Sequence, residues 1–196
     1  GRRKSAKRMN SLVDIERQTI ILEYGEYHRM SVQNKQRNGT LDSQAAESMV
    51  KAAQISADPQ VAVRAYRLSM HVGDFERALK MSGLLKRLLP ESDQPYFMAL
   101  RVLAKLGRHD AFFDQMVLLL DRPKSSIGSH VRRVSQFLGE ESDPVVWMPV
   151  MERLVERYHH DPQVYLAQAW LAYRAERPEI AERALSQAIV VRPGWE

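Results

Sequence analysis

The chain has 196 residues and 44% of them are hydrophobic, so it can bury the core of one ordinary domain or of a short repeat array. It has no cysteine, which excludes disulfides, thiolate metal sites and thiol catalysis, and suits cytosol and periplasm alike. The formal charge of +5 belongs to one end: Arg2, Arg3, Lys4, Lys7 and Arg8 stand in ten residues without an acid, and beyond them the 29 basic residues fall to 24, equal to the 24 acidic ones.

Residues 1–10 read as a solvated tail; an arm for nucleic acid or an anionic membrane is the alternative. The tail leads into no apolar signal core, and no run approaches the roughly 18 apolar residues a membrane helix needs. The first residue is not methionine, so an export signal or lipid anchor removed earlier stays open. Residues 11–40 form an amino-terminal segment. Ser11 to Asp14 resembles a capping box, and Leu12, Ile15, Ile20 and Leu22 place an amphipathic helix over about 11–24. A weak helix over 26–37 then meets a stop at Asn38-Gly39.

From Leu41 the helical period is clear. Leu41, Ala45, Ala46, Met49, Val50 and Ala53 predict a helix within 41–58. Asp58-Pro59 opens the next one, with aspartate to cap and proline in the first turn, and Gly73 closes it. Phe75 to Leu88 is its partner, ended by Pro90. A second pair is expected over 94–106 and 110–121, a third over 127–138 and 144–158, and a fourth over 162–175 and 178–191. Residues 139–143 read as a connection, and Pro149 should kink the helix or confine it to Val150 onward. No run alternates with period two, so the chain is all-α.

The pattern recurs. Pro59 to Asp93, Asp93 to Gly128 and Gly128 to Pro162 are steps of 34, 35 and 34 residues, the period of stacked helical hairpins. Residues 59–196 resemble four tetratricopeptide repeats. Gly73, Phe75, Ala78 and Pro90 match the family's turn, bulky, small and closing positions in the first unit; in the last, Ala169, Ala181 and Ala188 fall on the three small positions, Tyr165 and Leu185 on bulky ones and Pro193 on the closing one. Tyr66, Phe112 and Trp147 stand where small residues are expected, which predicts wider packing there. Residues 41–58 would be the helix of a partial repeat. The resemblance implies a right-handed superhelical solenoid, and the chain's end soon after Pro193 suggests an excerpt of a longer array.

A narrower resemblance covers about 41–196. Asp58 to Ala65, the Gly73-Asp74-Phe75-Glu76-Arg77-Ala78-Leu79 hairpin and Arg192 to Glu196 are similar to the amino-terminal part of bacterial repeat lipoproteins. Those act as adaptors for a periplasmic carboxyl-terminal processing protease. This implies a periplasmic or outer-membrane-anchored protein, with the cytoplasm as alternative.

By analogy with the tetratricopeptide family, one side of each first helix lines a concave groove. Carried over residue by residue, that side holds Arg67, Met70 and His71, then Phe97, Arg101 and Lys105, then Arg132, then Trp170, Tyr173 and Arg174. The cations could pair with carboxylates of an extended peptide, and the aromatics could anchor apolar side chains. The bland alternative is solvated cations and aromatics that merely pack one repeat on the next.

Catalysis is not expected. The six histidines lack zinc-hydrolase spacing, and no nucleophile elbow or phosphate loop occurs. No cofactor or metal is implied. The favoured function is a scaffold that binds a protein or peptide partner, a protease among the candidates. The alternative is a nucleic-acid-associated repeat protein using its basic tail.

Overall fold

The structure, a computed structural model, describes residues 39–123 and 126–194. The basic tail, the segment over 11–38, the loop residues 124–125 and Trp195 lie outside them. Among the described residues every regular element is helical: α1 (Gly39–Ser56), α2 (Pro59–His71), α3 (Phe75–Leu88), α4 (Gln94–Lys105), α5 (His109–Leu120), α6 (Ile127–Glu141), a 3-10 turn (Pro144–Trp147), α7 (Met148–Arg157), α8 (Pro162–Arg174) and α9 (Pro178–Val191). The chain is an all-α array of helical hairpins at the expected period. It divides into two compact units, Gly1–Val102 and Leu103–Glu196, with the boundary inside α4. None of the described helices is long and apolar enough to cross a membrane.

In the first unit, α2 begins where Asp58 places a carboxylate oxygen 2.7 Å from the Gln60 amide and Pro59 occupies the first turn. Its buried face is Ala62, Ala65, Tyr66 and Ser69, the three-and-four spacing of one helix side. The facing stripe of α3 is Ala78, Met81, Ser82 and Leu85. Fully buried alanines on both helices let the two backbones approach closely. Between them Gly73 adopts φ +75, and the Asp74 amide reaches back to the Ser69 carbonyl at 2.9 Å. Asp74 then caps α3 through the Arg77 amide. α1 lays Ala45, Ala46, Met49, Val50 and Ala53 into this core and packs on α2 and α3. Arg77 bridges Asp74 at 2.9 Å and Glu47 of α1 at 3.4 Å.

Tyr66 shows how a large residue is tolerated at a small position. Its ring is buried, and its hydroxyl donates to the Met98 carbonyl at 3.1 Å, in the helix one repeat on. A buried phenol with its hydroxyl satisfied keeps the apolar gain without an orphaned polar atom.

In the second unit the same joint recurs. Gly107 has φ +65, and the Arg108 amide donates to the Leu103 carbonyl at 3.0 Å. At the last joint Glu176 takes φ +56 in the glycine's place, and the Arg177 amide donates to the Ala172 carbonyl at 2.9 Å. The third joint differs: Ser142 is extended, with φ −144, and its hydroxyl donates to the Leu138 carbonyl at 2.7 Å. Helix α6 runs on through Gly139 to Glu141, three residues past the expected end, because Gly139 is buried against α8. Pro149 introduces no interior kink; it sits in the first turn of α7, where its missing N–H costs nothing.

The core of this unit centres on Trp147, 1% exposed. Its ring lies 4.7 Å from that of Phe112 and takes His109 edge-on at 4.5 Å. The two residues that replace small ones in successive repeats thus fill one space together. Helices α6 and α8 run parallel: a methyl added to Gly128 would stand 2.7 Å from Gln163 Cβ, and one on Gly139 3.1 Å from Arg174 Cγ. Both pairs are 35 residues apart, so the first helices of consecutive hairpins lie in register.

Candidate functional site

The expected groove residues divide between the two units. On the first, α2 presents Arg67 and His71 to solvent, with Met70 half-buried. Arg101 of α4 is exposed, but Phe97 is only 8% exposed. It is therefore a packing residue and not an accessible anchor, a correction to the groove expected from register alone. Its helix turns that position inward, where burying an aromatic ring stabilises by about 1.5–3 kcal/mol.

The second unit brings more together. Arg174 donates from Nε and Nη2 to the Gly139 carbonyl at 3.2 and 3.0 Å, and Lys105 Nζ lies 3.5 Å from the Glu141 carbonyl. The last carbonyls of a helix have no partner within it and carry the negative end of its dipole. These two cations satisfy that end of α6. Both side chains remain exposed, and these contacts hold the two cations beside the end of α6.

Trp170 and Tyr173 remain open, 42% and 69% exposed, with ring centroids 6.4 Å apart and planes tilted by 35°. The two rings form an open aromatic pair on one side of α8. The Trp170 indole nitrogen lies against Gly139 of α6, 3.5 Å from where a methyl there would stand.

Arg132 lies toward the other end of the same α6/α8 face, lining a cleft of about 720 Å³. Ser126, Ser129, Gln163, His160 and Arg192 line it too. Arg192 and His160 were not among the expected residues. They sit just after α9 and just before α8, and an antiparallel hairpin returns the end of its second helix to the start of its first. Hairpin arithmetic would have found them; counting along first helices alone could not.

The ionisable groups driven from their ordinary range sit at helix contacts and not around the cleft. The Asp121 carboxyl is held low by the Tyr158 hydroxyl, which donates at 2.7 Å, and by Arg157 at 2.8 Å. Burial first, and then that bond to Asp121, pushes the Tyr158 phenol up to about 12. Burial lowers the Lys86 ammonium, which lies 5.1 Å over the Tyr96 ring. Glu47 is held low by Lys51 and then Arg77. Each of these shifts follows from burial or from a neighbouring group at a helix contact. Among the described residues no three histidines, aspartates or glutamates gather as a metal site would need.

No protein-family model matches this chain. No curated protein is similar to it in sequence. Among solved structures, it overlays on MamA from Desulfovibrio magneticus RS-1 at 11% identity, covering 88% of this chain and 97% of that one, with a TM-score of 0.42. It overlays on YrrB, described as a TPR protein with an unusual peptide-binding site, at 15% identity over 86% and 93% of the two chains, with a TM-score of 0.39. For BtubC from P. vanneervenii the identity is 15%, the coverage 94% and 93%, and the TM-score 0.35. Likeness at this level adds nothing to the fold, which stands on the chain's own hairpins.

Proposed function

We propose that the chain is a non-enzymatic interaction scaffold that holds an extended segment of a partner protein on the α6/α8 face. The observation that carries this reading is the open pair Trp170 and Tyr173 on the same face as a cleft lined by Arg132 and Arg192. Apolar anchors beside charged groups are where binding energy concentrates in peptide recognition. Arg67, Met70, His71 and Arg101 offer a more polar surface on the first unit by itself. The resemblance to repeat lipoproteins supports a processing protease or its substrate as that partner.

The test is selection from a random peptide library displayed on phage, against the full chain. Enriched peptides should bind with tryptophan-fluorescence changes and lose affinity tenfold or more, about 1.4 kcal/mol, in a Trp170→Ala, Tyr173→Ala double variant. Peptides that bind the double variant equally well would remove this face from the reading.

A further inference from the structure

We infer that the α6/α8 face takes a short extended segment joining one carboxylate to one aromatic or large aliphatic side chain. The carboxylate enters the cleft and the apolar group rests on Trp170 and Tyr173. This rests on the scaffold reading above and deepens it by naming the ligand's chemistry and spacing.

The face is polarised along its length. At the amino-terminal ends of α6 and α8 the cleft is lined by Arg132, Arg192 and His160. Its one lining acid, Asp161, accepts from the Gln163 amide at 2.8 Å, so a ligand meets two arginines against one carboxylate. At the other end lie the open aromatics. Beside them on α6, directly after the glycine that Trp170 approaches, come Glu140 and Glu141, both exposed. A single negative group is thus favoured at the cleft end of the strip; at the other end the exposed Arg174 and Lys105 stand beside Glu140 and Glu141, so neither sign prevails and the open aromatics set what binds there.

The spacing follows from helix geometry. Gln163 lines the cleft, and Trp170 and Tyr173 lie seven and ten residues further along α8. Seven residues is close to two turns, which returns Trp170 to the side of α8 that Gln163 occupies. At 1.5 Å per residue the two anchors are about 10–15 Å apart. An extended chain covers about 3.3 Å per residue, so the carboxylate and the apolar side chain should be about three to five residues apart.

The experiment uses the full chain and synthetic peptides of the form acetyl-Phe-(Ser)n-Asp-amide, with n from none to about eight. Binding is read by tryptophan fluorescence and by backbone amide shifts in NMR. Affinity should peak at n of about two to four and fall at least about fivefold for the longest and shortest members, as effective concentration requires. A matching series without aspartate but with a free carboxyl terminus separates a terminal carboxylate from a side-chain one. An Arg132→Gln, Arg192→Gln double variant should bind the best peptide at least about fivefold more weakly, with less dependence on salt. Trp170→Ala should abolish the spacing optimum. A flat dependence on n, unchanged affinity in both variants, or tighter binding of octathymidylate overturns the inference. If peptides selected from the random library bind this face while no member of the series does, the scaffold reading stands and this inference falls.

Discussion

Arg174 holds the Gly139 carbonyl with two of its nitrogens, at 3.0 and 3.2 Å, from 35 residues further along the chain. The contact fastens the carboxyl end of α6 to α8 and sets the backdrop for Trp170. Removing it leaves the Gly139 carbonyl unpaired in a part-buried place. Arg174→Ala should therefore cost about 1–2 kcal/mol in urea unfolding. Amide exchange should rise first at Leu138 to Ser142. A variant as stable as the parent would show that the pair is incidental.

Two glycines should respond with opposite signs. A methyl on Gly128 would press on Gln163 Cβ at 2.7 Å, on the contact face of α6 and α8. Gly128→Ala should destabilise by about 1 kcal/mol or more, overpacking exceeding the gain in helix propensity. Gly83, inside α3, has nothing within 4 Å of such a methyl. Gly83→Ala should stabilise by about 0.5–1 kcal/mol. Denaturant midpoints of the two variants decide both.

Phe97 and Tyr173 share an aromatic character but not a role. Phe97→Ala opens a cavity in a buried site and should cost about 3–5 kcal/mol. Tyr173→Ala, at a site 69% exposed, should stay within about 0.5 kcal/mol of the parent. If peptide binding is lost in the second variant while its unfolding curve is unchanged, the loss belongs to the face and not to the fold.

The Tyr158–Asp121 pair makes stability depend on pH at both extremes. The phenol is raised in the folded state, to about 12, so the native chain holds a proton that the unfolded chain gives up near 10. Its contribution is complete below the unfolded value and is lost as pH rises toward the folded one. Tyr158→Phe should flatten the decline in urea midpoint between about pH 10 and about pH 12. Asp121 is lowered, so its contribution is complete above the ordinary carboxylate range and is lost as pH falls from that range through the lower folded value. Asp121→Asn should flatten the acid limb. Unaltered limbs in both variants would show that the pair does not titrate with folding.

Glu176 occupies the left-handed region, φ +56, where the two equivalent joints have Gly73 and Gly107. A side chain there costs about 1 kcal/mol, part of which glycine's own chain entropy takes back. Glu176→Gly should raise the thermal midpoint, with a gain of about 0.5–1 kcal/mol. A lowered midpoint would mean that the glutamate makes a compensating contact.

The hairpins were legible because their punctuation is local. Asp58-Pro59 and Asp161-Pro162 both proved to be side-chain caps on the amide two residues on. The end of α6 was not, since Gly139-Glu140-Glu141-Ser142 reads as a polar loop until Arg174 and Trp170 are seen packing on its glycine. The same limit applied at the site. Helical register placed Trp170 and Tyr173 on an accessible side, but it also placed Phe97 there, where tertiary packing buries it. Arg192 and His160 were missed because their neighbourhood arises from the return of a hairpin, which no count along one helix contains.

The joint after α2, α4 and α8 is closed each time by a main-chain amide reaching five residues back, over Gly-Asp, Gly-Arg and Glu-Arg respectively. A hinge fastened by main-chain atoms restricts one position, the left-handed residue before the reaching amide, and imposes little on the side chains around it. An array closed in this way keeps its hairpin geometry through wide changes of side chain on either flank of that one position.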